Sequence, residues 1–481
     1  MSKSKDNQMS KAKVWKDGAA GEPKFPSNFE VVQKAVLQVT DIKTNRNKYY
    51  AVELHKAGTK FRVFTHYGRT DDLDTNPNAG MRESRYCDSL GEAQSIYNTI
   101  YKQKTSARKG YKEINLASSR IGSSKSVGKS SGHVDDATLE KMTSKDKDKG
   151  KKKDAPKVSV LPKSVQTLVE YIYAEATNAL TSTVNASITA NGIETPLGVL
   201  TLGQIEKGQG YLDELHALIS KKQTAKVKSA MLDLSGEFYT VIPHRIGRTR
   251  RAAEQAVITT LDDFTQKNET LQLMRDMLAV SSKDTSVLIN PEIDKKYKAL
   301  GCDIRSLSSE EFAKVKKYVE KSAISGGIKV KAAYGIGRPP EIKAFNNVGN
   351  VKQLFHGSGS KNWVGILSRG LLLPKVVVTL GVNRTDAGWL GNGIYFGNAI
   401  CTAVNYAYPG KRGTAMVAVT DVALGKIKDY RKITYGLNAA PSGYHSAHGI
   451  RGTQFHDDEF VIYNHNQQKL KYLVECSRGW Y

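Results

Sequence analysis

The chain has 481 residues, enough for two to four domains of about 100–200 residues each, and carries 72 Lys and Arg against 47 Asp and Glu, a net charge of +25. That excess points to a polyanionic partner, and it is uneven: residues 1–160 hold 32 basic and 19 acidic residues, so a third of the chain carries half of it. Cys87, Cys302, Cys401 and Cys476 form no CxxC pair, which excludes a disulfide scaffold and a Cys-rich zinc module and favours a reducing compartment. No apolar run approaches the roughly 18 residues of a membrane span, and the start, Met-Ser-Lys-Ser-Lys-Asp, lacks the apolar stretch of a secretory signal. A soluble, basic, intracellular protein is expected.

Residues 1–24, polar and Lys-rich, predict a disordered basic tail. From Phe29 strand character begins: Val31–Thr40, then Tyr50, Val52 and Leu54 alternating with polar neighbours, then Phe61, Val63 and Thr65 on one face. Ser89-Leu-Gly-Glu92 has the form of a capping box, followed by Ala93, Ile96, Tyr97 and Ile100 at helical spacing. Residues 25–115 are therefore expected to form a small α+β module. Residues 116–160 are a Ser-, Gly- and Lys-rich linker, with seven lysines and three aspartates in 145–157, too polar to offset the cost of ordering its backbone. It reads as a solvated tether or as a polyanion-binding or nuclear-import patch.

Residues 161–282 predict an all-α bundle. Val165, Leu168, Val169 and Ile172 fall at i, i+3, i+4 and i+7, Thr201-Leu-Gly-Gln204 is a second capping box, and amphipathic stretches follow around 231–239 and 257–278. Residues 283–481 predict a helix over 310–321 and short strands at Ile328–Ala333, Ala415–Val422, Glu459–Tyr463 and Leu470–Cys476 separated by glycine turns, a β-rich and largely antiparallel domain. The expected fold class is thus multidomain α+β.

No GxxxxGK[ST] occurs, Gly335-Ile-Gly337-Arg-Pro-Pro lacks a third glycine and opens no helix, and no HExxH or Cys/His spacing suggests zinc. His445, His448 and His456 read better as loop residues than as metal ligands. Three segments of the last domain stand out: Phe355-His356-Gly357-Ser358, Gly391-Asn-Gly-Ile-Tyr395-Phe396 with Tyr406 eleven residues on, and Asp457-Asp458-Glu459 before an apolar strand. Singly, each has a plain structural explanation: a turn cap, core tyrosines, a solvated acidic loop.

Jointly they carry a resemblance. Residues 283–481 resemble the catalytic domain of the poly(ADP-ribose) polymerase family, whose signature is a His, a Tyr and a Glu from three separated segments; His356, Tyr395 and Glu459 match in order, within His-Gly-Ser, Gly-x-Gly-Ile-Tyr-Phe and Glu-Phe-x-x-Tyr. Gly365-Ile-Leu-Ser-Arg-Gly-Leu and Leu470-Lys-Tyr-Leu also look like the family, and Leu371–Pro409, with Asn383-Arg-Thr-Asp, is especially similar to its vault-particle member. Residues 161–282 look like the helical regulatory domain, through Leu161-Pro-Lys-Ser-Val-Gln, Pro196-Leu-Gly and Phe238–His244. Residues 25–115 resemble the WGR domain, with Tyr67-Gly68-Arg69 at the naming tripeptide.

The resemblance implies a β-rich ADP-ribosyltransferase that consumes NAD as a substrate, needs no metal, and passes through an oxocarbenium-like state as glycoside hydrolysis does. It implies that Glu459 bonds the nicotinamide-ribose 2′-hydroxyl and stabilises developing positive charge, that His356 bonds the adenosine-ribose 2′-hydroxyl, and that Tyr395 and Tyr406 sandwich the nicotinamide ring. It also implies that the Gly357 backbone pairs with the carboxamide, with Ser358 and Asn362 near the adenosine half. Three positions depart from the family: Ala403 stands where a serine bonds the carboxamide, a loss on the order of 1 kcal/mol; Leu372 stands where many members place an arginine; and Tyr67 replaces a tryptophan, while Arg69 is kept as the phosphate or interdomain contact.

The partners implied are DNA strand breaks, bound through Tyr67 and Arg69, acceptor proteins including the chain itself, and an accessory protein completing the active site, with no membrane. The location implied is the nucleus, or the cytoplasm beside the nucleoid in a prokaryotic host. A mono-ADP-ribosyltransferase, a catalytically weak DNA-binding scaffold and a module that reads ADP-ribose without making it are the alternatives. The retained Glu459 favours chain building.

Overall fold

A computed structural model describes residues 12–76, 78–119, 121–123, 159–184, 186–189, 192–244, 246–247, 249–281, 293–324, 327–373 and 388–478. Residues 1–11, most of the Lys-rich linker and the Asn383-Arg-Thr-Asp motif lie outside these. The described residues fall into two bodies.

The first body is built on a six-stranded antiparallel sheet. Its strands are β1 (Val14–Lys16), β2 (Glu30–Asp41), β3 (Arg46–Ala57), β4 (Lys60–Arg69), β5 (Met81–Cys87) and β6 (Lys112–Glu113), in the order β1-β5-β4-β3-β2-β6. Runs such as Lys34-Ala-Val-Leu-Gln-Val-Thr and Tyr49-Tyr-Ala-Val-Glu-Leu supply the β-branched and aromatic residues that suit a pleated, half-buried surface. Ala57 pairs with Lys60, so the hairpin turn has only two residues, and Gly58 takes the left-handed φ of 62° that such a turn demands.

Helix α1 (Leu90–Thr105) covers the sheet, laying Ala93, Tyr97 and Ile100 against Leu37, Val52, Leu54 and Val63. Burying side chains of this size stabilises by about 1.5–3 kcal/mol each. The Ser89 hydroxyl accepts from the Glu92 amide, as the expected capping box requires, while the Glu92 carboxylate takes the amide of Asp88, one residue before the cap.

Order begins earlier than the sequence suggests. β1 pairs with β5, and the Tyr86 hydroxyl donates to Glu22 at 2.9 Å, so residues 12–24 are part of the module rather than a tail. The start of the expected linker is also structured: strand β7 (Leu116–Ser118) joins a ladder, and the Gly122 and Ser123 amides donate to His66 and to the buried carboxylate of Glu53. An isolated buried carboxylate is costly. Glu53 is compensated by Lys34 at 2.9 Å and His55 at 2.6 Å.

Residues 161–282 are helical but not all-α. Between α2 (Lys163–Thr183) and α3 (Leu202–Ile219) lie the short strands β8 (Ser187–Thr189), β9 (Gly192–Thr195) and β10 (Gly198–Leu200), and β10 pairs with both β9 and β7. Helices α4 (Ala225–Val241), α5 (Arg250–Gln255) and α6 (Leu261–Ser281) follow. These helices divide between the two bodies: α3, α4 and α5 belong to the first, α2 and most of α6 to the second. The second capping box is one-sided. Thr201 accepts from the Gln204 amide, but the Gln204 side chain turns inward to Val241 and Asn115.

The second body centres on nine strands: β11 (Asp303–Ser306), β12 (Ile328–Gly337), β13 (Val351–Ser358), β14 (Ile394–Gly397), β15 (Ala415–Ala423), β16 (Ile427–Tyr430), β17 (Ser446–Gly449), β18 (Glu459–Ile462) and β19 (Gln468–Arg478). Their order is β11-β12-β19-β15-β13-β14-β18-β17-β16, antiparallel throughout except for the β16–β17 pair. Around it lie α7 (Ile293–Leu300), α8 (Ser309–Lys321), α9 (Pro339–Ala344), α10 (Trp363–Arg369) and α11 (Ile400–Tyr406). Val315 and Val319 of α8 pack on Phe355, Val417 and Val474 from the sheet, fixing β13 at its centre. Among the described residues no helix is long and apolar enough to cross a membrane.

Candidate active site

Strands β13, β14 and β18 lie side by side, with Phe355 opposite Gly397 and Gly397 opposite Glu459. Neighbouring strands stand about 4.8 Å apart, so His356 on β13, Tyr395 on β14 and Glu459 at the head of β18 are brought within roughly 10 Å although 103 positions separate the first from the last. Alternation along β13 sends Phe355 into the core and His356 to the other face. All three line one cavity of about 560 Å³, together with Gly357, Leu371, Leu372, Trp389, Thr402, Ala403, Tyr406 and Tyr435, within the range of small-molecule sites.

Each member of the trio is held by its surroundings. The His356 Nδ1 lies 2.9 Å from the Tyr395 carbonyl oxygen; since a carbonyl only accepts, Nδ1 carries the proton. Burial lowers the imidazole pKa, so the ring is neutral near pH 7 and Nε2 keeps a lone pair. The Tyr395 hydroxyl donates to the Gly391 carbonyl at 2.8 Å and accepts from the Leu390 amide at 2.9 Å, pinning the loop before β14 to the ring. Gly388 lets that loop pass: a Cβ there would sit 2.1 Å from the Tyr395 ring. Burial raises the Tyr395 pKa far above the ordinary phenolic value, so the hydroxyl stays protonated.

Glu459 is pushed up to about 7, first by burial and then by the negative charge of Asp457. Asp457 is itself fixed, accepting from the Thr402 hydroxyl at 2.6 Å. Asp458 is held low, despite burial, by bonds from the Arg451 amide, His448 and Asn398. The three consecutive acids therefore have three distinct environments, and only Glu459 and Asp457 act on the cavity.

β13 pairs with β14 at a single position, Phe355 opposite Gly397. Beyond it the strands part around the cavity and leave the backbone of Gly357 beside α11. A Cβ on Gly357 would lie 1.8 Å from the Ala403 carbonyl oxygen; only glycine permits this approach. Ala403 and Leu372 both line the cavity, and Tyr406 stands 61% exposed at its rim. Ser358 and Asn362 lie beside the cavity rather than in its wall, bonded to each other at 3.1 Å. Trp389, Tyr435 and Thr402 were not signalled by the sequence; a backbone bond from the Thr434 amide to the Trp389 carbonyl joins the segments of Tyr435 and Trp389 across 45 positions.

The three histidines serve structural partners, and His448 stands on β17 rather than in the expected loop. His448 bridges Asp429 and Asp458 at 2.9 Å each and stacks on Phe460, His445 bonds the Lys426 amide, and His456 lies by Trp389. Among the described residues no group of three or more His, Cys, Asp or Glu side chains is placed to hold a metal ion.

In the first body, Tyr67 stacks on Tyr50 with ring centroids 5.1 Å apart and donates to Glu83. Arg69 pairs with Asp71 at 2.9 Å and bonds the Asn45 carbonyl. Arg62 packs over Phe25 and bonds His55, and Arg85 pairs with Glu83.

Helices α2 and α6 dock on the cavity-bearing domain within the second body. Asp276 of α6, 4% exposed, takes both guanidinium arms of Arg369 at 2.6 and 3.0 Å, so close over Gly365 that a Cβ there would meet its carboxylate. Tyr171 of α2 donates to Ser360 and lies under Arg412, Glu175 accepts the Lys411 amide, and Glu269 pairs with Lys361.

A strand-borne His, Tyr and Glu thus surround one cavity. Sequence profiles agree along the chain: poly(ADP-ribose) polymerase catalytic domain at residues 309–454, its regulatory domain at 159–297, and the WGR domain at 33–118. The chain belongs to the poly(ADP-ribose) polymerase family. It is similar to human protein mono-ADP-ribosyltransferase PARP4, 37% identical over 329 residues, which cover 66% of this chain and 18% of that protein. It is similar also to human poly [ADP-ribose] polymerase 2, 24% identical over 92% of this chain and 79% of that protein, and to the Drosophila melanogaster poly [ADP-ribose] polymerase, 28% identical over 86% and 40%. The chain thus spans less than a fifth of the PARP4 proteins of human and mouse.

Proposed function

We propose that the protein is a DNA-break-activated, NAD-consuming poly(ADP-ribose) polymerase that transfers ADP-ribose to acceptor proteins, itself included, and releases nicotinamide. The observation that carries this reading is the convergence of His356, Tyr395 and Glu459 on one cavity. Tyr395 and Tyr406 hold the nicotinamide ring between them, and the Gly357 backbone takes the carboxamide. The free Nε2 of His356 accepts from the adenosine-ribose 2′-hydroxyl. Glu459, when ionised, accepts from the nicotinamide-ribose 2′-hydroxyl, stabilises the positive charge that grows as the glycosidic bond opens, and orients the acceptor.

The WGR module would engage DNA through Tyr67 and Arg69. Tyr50 covers one face of the Tyr67 ring, and a phosphate at Arg69 must compete with Asp71. The helical region would restrain the catalytic domain until DNA favours a state in which it is released. A nuclear location, or a nucleoid-side one in a prokaryote, and an accessory protein that completes the active site belong to the same reading. A second reading, transfer of single units, is favoured by one fact: the relatives at 37% identity are named mono-ADP-ribosyltransferases.

Nicotinamide release and self-modification are to be measured with NAD, with and without nicked or blunt-ended DNA, beside Glu459→Gln. DNA-stimulated labelling into high-mass smears, lost in the variant, is expected. A discrete shift that survives in the variant would mean single-unit transfer and a different role for Glu459. Absence of turnover while DNA still binds would leave a scaffold.

A further inference from the structure

β16 is the terminal strand of the nine-stranded sheet, bonded among the described residues to β17 alone. The segment around it reads Lys426-Ile-Lys428-Asp-Tyr-Arg431-Lys432, four cations and one acid. The acid, Asp429, is committed to His448. None of the four cations has a carboxylate partner among the described residues.

Two of them lie against one aromatic ring. Lys426 and Lys428, at i and i+2 of an extended segment, share a side, and their ammonium groups lie 4.9 and 5.4 Å from the centroid of the Tyr444 ring. The backbone beneath is fixed: the Lys426 amide donates to His445 Nδ1 at 3.0 Å and its carbonyl accepts the His445 amide at 2.8 Å. Two uncompensated ammonium groups over one ring repel each other, an arrangement that an anion with two adjacent charges relieves. From Arg431 and Lys432 the chain runs on to Tyr435, which lines the cavity.

We propose that this edge is a binding track for the ADP-ribose polymer as it leaves the cavity, Lys426 and Lys428 gripping a diphosphate and Arg431 and Lys432 the next stretch toward the cavity. The proposal rests on the reading that the chain builds polymer. The convergence of the lysines fits a chain whose charge comes in diphosphate pairs with an adenine nearby to stack on Tyr444. A duplex, with evenly spaced phosphates on a broad surface, fits a track one strand wide less well. Exposed contacts of this kind weaken with salt.

The test uses the full chain and a variant carrying Lys426→Glu, Lys428→Glu, Arg431→Glu and Lys432→Glu. Retention of purified, labelled ADP-ribose polymer is measured beside retention of duplex DNA, nicotinamide release and Tm. Expected are a loss of polymer affinity of about tenfold or more, unchanged DNA affinity, an unchanged initial rate of nicotinamide release, and shorter products. Polymer affinity within twofold of the parent overturns the proposal, and so does an equal loss of DNA affinity, which would make the edge a nucleic-acid surface. Should charge reversal lower Tm, the Lys426→Ala, Lys428→Ala pair is read in its place by the same criteria. Because the polymer is supplied preformed, a parent chain that releases no nicotinamide would refute the proposed activity while the binding result still stands.

Discussion

His356 and Tyr395 sit on neighbouring strands, and the imidazole Nδ1 of the first donates to the backbone carbonyl of the second at 2.9 Å. One bond thereby sets the tautomer of the histidine, its ring orientation and its distance from the loop that the Tyr395 hydroxyl pins. Because the tyrosine contributes a backbone atom to this bond, its ring remains available to line the cavity.

Glu459 gives the reaction a pH dependence of definite sign. With its pKa raised to about 7, the carboxylate that stabilises positive charge is present only at and above that pH, so turnover should rise through pH 7 and flatten above it. Glu459→Gln should lower kcat by about 10²–10³-fold and abolish this limb. Asp457→Asn removes a like charge and should move the limb downward. The stability sign is the reverse: the folded state keeps a proton that the unfolded state has lost between its ordinary value of 4.5 and about 7, so Glu459 costs stability as pH rises through that window. Glu459→Gln should therefore raise Tm at pH 8 more than at pH 4. A pH–rate profile with no limb near 7 would show that Glu459 does not act as the ionised group.

The parts of this site that were legible in the sequence are those that live in short words. His356, Tyr395 and Glu459 each lie on a strand within two residues of a glycine or an acid, so both the chemistry and the local structure are written within a few residues. Gly357 was visible as a glycine, but the reason for it, the Ala403 carbonyl in the way of any Cβ, is a contact across 46 positions. The bond from Thr402 to Asp457, the rim tyrosine Tyr435 and the Lys426–Lys428 pair over Tyr444 depend on strand order, which hydrophobic period does not encode. The same holds for the fold. Alternation gave β2, β3 and β4, whereas β1, three residues long with its pairing partners 67 to 71 positions away, left no periodic signal in a polar stretch.

Ala403 tests where the nicotinamide carboxamide lies. The side chain is 3% exposed and lines the cavity beside Gly357. Ala403→Ser would return a hydroxyl donor, and a hydrogen bond of about 1 kcal/mol should lower KM for NAD about fivefold with kcat unchanged. Nicotinamide itself should inhibit more tightly by the same factor. If KM and inhibition do not move together, the carboxamide is not at this wall. Gly357→Ala should do the opposite, because its methyl can be admitted only by displacing α11 and with it Tyr406: KM should rise by at least tenfold, about 1.4 kcal/mol, and Tm should fall.

The restraint proposed for the helical region can be tested at one ion pair. Asp276 of α6 is almost wholly buried against α10 and holds the partly exposed Arg369 by two bonds. Asp276→Asn keeps the shape and removes the charge, at a cost of about 1–3 kcal/mol to the docked arrangement. If α6 in place is what restrains turnover, that cost shifts the population toward the released state, and each 1.4 kcal/mol is a factor of ten. The DNA-free rate should then rise by roughly five- to a hundredfold, while the DNA-saturated rate, already drawn from the released state, stays put. Arg369→Lys, which retains one charge but not the paired geometry, should give a smaller rise in the same direction. A variant that loses Tm yet keeps the parent's DNA-free rate would show that the α6–α10 contact is structural and that the restraint, if any, lies elsewhere in the helices.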